Sequence, residues 1–501
     1  MLYLAAYACR LTRARVCDKI PRVNVSERGG NTMQKNQVLT LDVTDLNNLG
    51  FGVAHHEGMT VFVGGAVDGE TVRARVILVK RTYAVARVEE ILTPAPWRIP
   101  DDCPAAGCGG CAYRHVTYPH EAVLKRRAVV AAFRKAGLPE TRVAGVVTPS
   151  GADGTPCVSG YRNKAQYPIA RGADGSYLLG FYGAKTHRVV EAARCPLQDP
   201  AFLPILEDLR AYFSEKQLSV WDEERGQGLL RHVYLRRGSE SGEILLTLVV
   251  GEDRFPDAEG FAARLMERHP ALVGVVLNVN TEVTNVICGD TYRTLAGRGY
   301  LVDTLAGVRL RIHPAAFYQV NHAAATLLYA KAAELAHLTG REQLLDLYCG
   351  TGSIGLSMAH AAREVIGVEL TPEAVECATL NARESGITNA RFYQGDAGDA
   401  RHLLDGIPGG VHPDVVVLDP PRKGSTPELL RYLCDLAVPR IVYVSCNPDT
   451  LARDARLLID LGYRMGEVTP FDLFPRTGHI ENVTCFTRAG DSGDALTNIM
   501  K

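Results

Sequence analysis

The stretch QLLDLYCGTGSIGLSMAHAAREVIGVEL, residues 343–370, reads as a buried strand, a glycine-rich turn, a helix and a second buried strand. Gly350, Gly352 and Gly355 fall where strand becomes helix, and glycine there lets the backbone approach a ligand closely. Outward from this stretch the alternation continues through PEAVECATLNARES (372–385), ARFYQGDA (390–397), DVVVLDPP (414–421), PELLRYLCDLA (427–437), RIVYVSCNP (440–448) and ENVTCFTRA (481–489). Such alternation predicts βαβ crossovers, a mostly parallel sheet with helices on both faces, and a Rossmann-like α/β unit over about residues 306–490. Ligands of these folds sit outside the carboxyl ends of the strands.

At 501 residues the chain is too long for one core, and three folded units are expected. With 46% hydrophobic and 22% charged residues it reads as globular rather than disordered. A formal charge of −1, from 55 Lys+Arg against 56 Asp+Glu, means that any site for a polyanion must be a local patch. Every apolar run falls short of the roughly 20 residues that span a bilayer, so no membrane partner is expected. Thirteen scattered cysteines, an odd number, point to a reducing, cytoplasmic compartment.

Residues 1–36 are expected to be a non-native or disordered extension: MLYLAAYACRL lacks the basic leader of a signal peptide, and Met33 reads as the true start. Residues 37–96 alternate apolar and polar positions in short runs (VLTLDV, MTVFVGG, ETVRARVILVKRTYAVARVEEIL), which predicts a five-stranded β-barrel. GFGVAHHEGMTVFVGGAVDGETVRARV (50–76) resembles the TRAM domain, an OB-like RNA-binding module, with Arg73, Arg75, Lys80, Arg81 and Arg87 as a candidate basic face. The prolines of TPAPWRIPDD (93–102) mark a linker. An α+β domain over 97–305 and a tail at 491–501 complete the organisation.

D-x-x-C-G-T-G departs from the dinucleotide pattern GxGxxG and resembles the first motif of class I methyltransferases, which weighs against NAD. GVEL puts Glu369 at the tip of the next strand, where a carboxylate can accept both ribose hydroxyls of an adenosine-type cofactor. By the same resemblance Asp396 in QGDA addresses the adenine, and Asp419, before a rigid Pro-Pro turn, faces cofactor and target. IVYVSCNPDTLARD places Cys446 after a buried strand and ahead of a helix, where the helix dipole and backbone N–H groups are expected to lower a thiol pKa. A thiolate is what methylation of a pyrimidine at carbon 5 needs, because adding it at carbon 6 makes carbon 5 nucleophilic. A base must then remove the carbon-5 proton, and Glu481 in FDLFPRTGHIENV is the candidate, with His479 as the alternative or as an orienting group.

Together DLYCGTGSIGL, DPPRKG, SCNPDTLARD and FPRTGHIENV resemble the uracil-5 RNA methyltransferase family over about residues 37–490. The resemblance implies Cys446 as nucleophile and Glu481 as base. It also implies S-adenosylmethionine held by Gln319, Tyr348, Glu369 and Asp419, besides Gly350, Gly352 and Asp396 at the motifs above. YRNKAQYPI (161–169) and LNVNTEVTNVICG (277–289) are further segments typical of the family, with Arg162, Lys164 and Gln166 as candidate RNA contacts.

CPAAGCGGC brings Cys103, Cys108 and Cys111 together, and Cys195 in ARCPLQ can supply a fourth thiolate for zinc or an iron–sulfur cluster. The arrangement resembles the [4Fe–4S] site of the ribosomal-RNA branch, with one residue fewer between the first two cysteines than is familiar there; Cys157 is a possible substitute for Cys103. The transfer-RNA branch generally lacks both the barrel and the cysteine cluster, so 23S ribosomal RNA is the expected substrate, with transfer RNA the alternative and a monomer the expected state. DNA cytosine-5 enzymes carry their cysteine in a Pro-Cys loop after the fourth strand, and adenine-N6 enzymes end the DPP motif in an aromatic residue; here the cysteine comes one strand later and Arg422 holds that place. A catalytically dead RNA-binding factor is the remaining alternative, against which Cys446 and Glu481 stand intact.

Overall fold

The computed structural model describes residues 33–488 apart from Lys185, Pro408 and Gly409; the rest of the expected extension, residues 1–32, and the tail at 491–501 lie outside the described residues. Strands β1 (Val38–Leu46), β2 (Phe51–His56), β3 (Met59–Gly64), β4 (Thr71–Val79) and β5 (Tyr83–Thr93) close into a barrel in the order β1-β2-β3-β5-β4. Its period-2 pattern turns Leu39, Leu41 and Val43 into the barrel while Thr40 and Asp42 stay outside.

Helix α1 (Tyr118–Lys135) follows, and then a mixed seven-stranded sheet. That sheet is built from β6 (Lys164–Arg171), β7 (Tyr177–Tyr182), β8 (Val189–Glu191), helix α2 (Phe202–Lys216), β9 (Leu230–Arg237), β10 (Ile244–Val250), helix α3 (Ala258–Arg268), β11 (Leu272–Val279) and β12 (Thr291–Gly297), in the strand order β12-β11-β10-β9-β6-β7-β8. Tyr167, Phe213, Leu246 and Phe261 form its core with the two helices. A hairpin of β13 (Leu301–Leu305) and β14 (Val308–Ile312) leads to helix α4 (His322–Ala336) and the last unit.

There β15 (Gln343–Leu347), helix α5 (Ser353–Met358), β16 (Glu364–Glu369), helix α6 (Pro372–Glu384), β17 (Ala390–Gln394), helix α7 (Ala400–Asp405), β18 (Val415–Leu418), helix α8 (Pro427–Asp435), β19 (Arg440–Ser445) and helix α9 (Pro448–Asp460) alternate as the sequence predicts. Strands β20 (Tyr463–Met465), β21 (Thr469–Phe471) and β22 (Glu481–Arg488) close the chain. The sheet order is β17-β16-β15-β18-β19-β22-β20, with β15 to β19 parallel and β22 antiparallel to β19. Alternate residues feed two cores: Leu345, Ile366, Val416 and Ile441 face α8 and α9, whereas Leu344, Val365, Val417 and Val442 face α4 and α5. Among the described residues no helix is long and apolar enough to cross a membrane.

Helix α1 packs on α9, so Val129 and Phe133 join Leu345 and Leu451 in one core. The chain after α1 adds to the same sheet edge, through parallel bridges of Val143 to Val468 and Val147 to Phe471. One polar contact fixes this docking. Lys125 Nζ, 1% exposed, lies 2.9 Å from Glu121 and 2.8 Å from Asp472, and also donates to Phe474 O at 3.1 Å. Arg476 completes the network, its amide donating to Glu121 Oε1 at 2.6 Å and its guanidinium to Val116 O at 2.9 Å. Removing the ammonium leaves two buried carboxylates facing each other, and breaking a buried pair costs about 3–5 kcal/mol. Lys125→Ala is therefore expected to lower unfolding free energy by about that amount in a denaturant titration; a loss below about 1 kcal/mol would show that the network carries no structural weight.

Candidate active site

The strand ends of the last unit converge on one cleft. After β15 the chain turns sharply, with Tyr348 at φ +64° and Gly352 at φ +78°. A Cβ on Gly352 would stand 2.9 Å from the Phe392 ring, so only glycine fits; at Gly350 nothing lies within 4 Å, leaving backbone open to a ligand. Gly355 N donates to Asp346 Oδ2 at 2.9 Å, whereas Asp346 Oδ1 is buried with no partner among the described residues. Burial pushes the Asp346 carboxyl up to about 7, with Asp419 and Glu369 adding to the effect. Glu369 is oriented by its neighbours, Oε2 accepting from Gly350 N at 3.1 Å and Oε1 from Thr371 N at 3.0 Å. Asn381 is a cleft-wall residue the sequence reading missed. Fully buried, it donates to Thr351 O at 3.1 Å and holds the glycine turn. Gln319 is 8% exposed and hydrogen-bonds Tyr329, whose hydroxyl meets Ser353 Oγ at 2.7 Å. Asp396 lies exposed after β17, its Oδ1 accepting from Gly398 N at 2.8 Å.

Strand register brings the candidate nucleophile and base together. Because β19 runs antiparallel to β22 with Ser445 opposite Asn482, the next step along β19 sets Cys446 across from Glu481. Asp419 stands at the end of the neighbouring β18. Burial pushes Glu481 up to about 8, helped by Asp419 and opposed by Arg422. The Cys446 thiol goes the other way from the sequence expectation: burial first, then Glu481 and Asp419, push it up to about 12, and Arg422 offsets only part. One N–H at this helix start is taken, since Asn447 caps α9 and its side chain accepts from Asp449 N at 3.1 Å, and the backbone hydrogen bond that does reach the thiol offsets only part of the rise. His479 is held down to about 4 by burial and by Arg422, so it is neutral at pH 7 and lies 3.3 Å from the Arg422 guanidinium.

The motifs after β18 and β19 hold each other. Asn447 Nδ2 donates to Arg422 O at 3.0 Å, Arg453 donates to Lys423 O and Ser425 O at 3.0 and 3.1 Å, and Asp454 accepts from Ser425 N at 2.8 Å. YRNKAQ docks on the same cleft: Tyr161 donates to Pro475 O at 2.9 Å and Asn163 Nδ2 to Gln319 O at 3.0 Å. Lys164, beside Arg236 and Arg162, is brought down to about 7 by burial and by those two cations. Gln166 lies on the same strand, opposite Tyr234. On the barrel all five cations of the expected basic face are exposed, with Arg73 and Arg75 paired to Glu90 and Glu89 at 2.6 Å each.

The cysteine loop sits against the β7–β8 hairpin, with Cys108 bridged to Gly183 and Gly109 N donating to Tyr182 O at 3.3 Å. Cys103, Cys108, Cys111 and Cys195 lie near enough for their charges to act on one another, and burial raises the thiols of Cys108, Cys111 and Cys195, Cys111 to about 12. No group of three or more Cys, His, Asp or Glu among the described residues is arranged to hold a metal ion. The loop also touches the cleft, because Ala112 N and Tyr113 N donate to Arg476 O at 2.9 and 3.1 Å.

The chain is similar to known proteins in both its barrel and its last unit. Residues 298–489 match the family model of tRNA (uracil-5-)-methyltransferases, and residues 33–88 match the TRAM domain. A protein of Halalkalibacterium halodurans described as an uncharacterized RNA methyltransferase is 37% identical over 90% of this chain and 97% of its own length. One of the same description from Nostoc sp. is 38% identical over 92% and 99%. Among solved structures, the Pyrococcus abyssi tRNA (uracil-54, C5)-methyltransferase in complex with S-adenosyl-L-homocysteine superposes with a TM-score of 0.71 at 27% identity, covering 89% of this chain and 99% of that one.

The raised thiol makes a prediction that needs no substrate. At pH 8 Cys446 should be alkylated by iodoacetamide at least about tenfold more slowly than an unperturbed exposed thiol of pKa about 8.5, measured by quantitative peptide mass spectrometry. Equal rates would mean that the thiolate is already formed in the free protein.

Proposed function

The chain belongs to the RNA (uracil-5-)-methyltransferase family and is an S-adenosylmethionine-dependent enzyme; on that premise we propose that it methylates carbon 5 of a uridine in 23S ribosomal RNA through a covalent adduct of Cys446. The observation that carries the chemistry is the register of β19 against β22, which sets Cys446 opposite Glu481. Glu369, Asp419, Gln319, Tyr348 and Asp396, with the backbone at Gly350 and Gly352, would hold the donor, which supplies an electrophilic methyl group when bound. The open backbone at Gly350 and the unpartnered Asp346 Oδ1 fit a ligand of that kind.

In this reading Cys446 gives its proton to solvent as Sγ bonds to carbon 6, and the electron pair moves through the ring to make carbon 5 nucleophilic. Carbon 5 takes the methyl group and still carries its hydrogen. Glu481 then removes that proton, the carbon 5–carbon 6 double bond re-forms, and Sγ leaves. A carboxyl raised to about 8 is a stronger base than an ordinary glutamate, at the cost of being mostly protonated at neutral pH. Activity is thus expected to rise with pH through about 8, because the working form is the carboxylate. Arg422 lies beside both groups and His479 is neutral, so His479 serves as an orienting partner of the arginine.

Cys446→Ala should abolish both methylation and the adduct. Glu481→Gln should stop at the methylated adduct and give an RNA complex stable to SDS. RNA carrying 5-fluorouridine does the same to the wild-type enzyme, since fluorine cannot leave as a cation. Peptide mass spectrometry of that complex names the nucleophile, and the attached fragment names the uridine. Normal turnover by Glu481→Gln would assign the base elsewhere.

The 23S reading rests on the barrel and the cysteine loop occurring in one chain. A transfer-RNA substrate is the second reading, favoured by the Pyrococcus abyssi enzyme, which acts on transfer RNA and aligns with 89% of this chain. Adducts with 5-fluorouridine transcripts of each RNA decide between them. Cys103, Cys108, Cys111 and Cys195 are not arranged to hold a metal ion as they stand among the described residues, and would have to draw together around a [4Fe–4S] cluster, or zinc in its place; four soft thiolate donors suit either, and the group would brace the loop that meets Arg476. Anaerobically purified protein should give a Mössbauer signal of a [4Fe–4S] centre, and stoichiometric zinc with no iron would replace that assignment.

A further inference from the structure

Asp346, Glu369, Asp419 and Glu481 bring four carboxyl groups to adjacent strand ends, and the cation that acts on this group is Arg422. Arg422 acts on Glu481 and Cys446. Among the described residues no hydrogen-bond donor meets the Asp419 carboxylate, and the residue is half-buried just past the end of β18. The groups around it are acidic or neutral: Asp346 from β15, Tyr329 from α4, Cys446 beyond β19 and Glu481 on β22. A carboxylate in such a place lacks a counter-ion from the protein. The donor of this reaction carries one, a sulfonium, whereas its demethylated product is a neutral thioether.

Resting on S-adenosylmethionine as the donor, we propose that Asp419 senses donor charge: it holds a proton in the free enzyme, yields it to solvent when the sulfonium binds, and takes one back once the methyl group has gone. The proton balance is simple. Carboxylic acid plus sulfonium donor gives an ion-paired carboxylate and one proton to buffer; S-adenosylhomocysteine, with the same amine and carboxylate but no sulfonium, displaces none. Ionisation then matches the charge of the ligand, and the product departs from a carboxyl that no longer has a cation to hold.

The free carboxyl is pushed by burial up to about 7. Coupling to one proton therefore predicts that the affinity for S-adenosylmethionine rises about tenfold between pH 6 and pH 8 while that for S-adenosylhomocysteine stays flat. The two ligands share the same amine and carboxylate, and because the sulfonium also acidifies the donor's own ammonium, the Asp419→Asn protein supplies the baseline against which their affinity ratio is read. Isothermal titration at pH 6 in buffers of different ionisation enthalpy should give about one proton released for the donor and about none for the product. Sinefungin, with a charged amine in place of the sulfonium, should follow the donor. Asp419→Asn should flatten the ratio.

A pH-independent ratio in the wild-type protein overturns the proposal while leaving the methyltransferase reading intact, since both ligands would still bind. Binding of neither ligand overturns both. Proton release that persists in a folded Asp419→Asn protein moves the role to Asp346. If that variant does not fold, the two-buffer measurement on the wild-type protein decides alone.

Discussion

The geometry of the cleft depends on one buried ammonium. Lys125 neutralises Glu121 and Asp472 at 2.9 and 2.8 Å, and through Glu121 and the Phe474 carbonyl it fixes the segment that ends at Glu481. That segment is the meeting point of the molecule. Arg476, held at φ +70°, accepts the amides of Ala112 and Tyr113 from the cysteine loop. Pro475 accepts the Tyr161 hydroxyl from the stretch before β6, and Gly478 packs so closely on Asn48 of the barrel that a Cβ there would overlap its carbonyl oxygen at 1.8 Å. Each folded unit therefore touches the loop before Glu481. A left-handed arginine persists only where its surroundings over-determine it, and here three elements do so.

Within that frame the strand ends gather acids. Parallel pairing of β15, β16 and β18 carries Asp346, Glu369 and Asp419 to one edge of the sheet, and β22 adds Glu481. Burying these groups near each other raises Asp346 and Asp419 to about 7 and Glu481 to about 8, which costs stability when they ionise. The same concentration of negative potential suits a cationic methyl donor. It also explains why the thiol is not pre-activated: next to Glu481 and Asp419, a thiolate would be repelled as well as desolvated. Cys446 and Glu481 share one local field.

Much of this was legible in the sequence, because it rests on local chemistry. Periodicity in residues 343–489 announced alternating strands and helices, and each chemical motif fell at a strand end, where the backbone turns and side chains are free to face a ligand. The period-2 runs after residue 37 announced the barrel. Less legible was the middle of the chain. RHVYLRRG and GEILLTLVV read as strands, but β6, β7, β8 and helix α2 carry weaker patterns and acquire their place by pairing with β9 and with the core around Phe213.

The sequence by itself determined which groups exist, in what order they meet the strand ends, and what chemistry a cysteine followed by a helix cap and a glutamate in a glycine-histidine loop can do. Only the tertiary structure decided that Cys446 faces Glu481, that α1 docks on α9 and pins the segment before Glu481, and that the thiol is raised rather than lowered. The reason is physical. Propensity and spacing act over a few residues, whereas register, desolvation and the field of buried charges are sums over groups such as Lys125 and Asp472 that stand 347 positions apart in the chain and 2.8 Å apart in space.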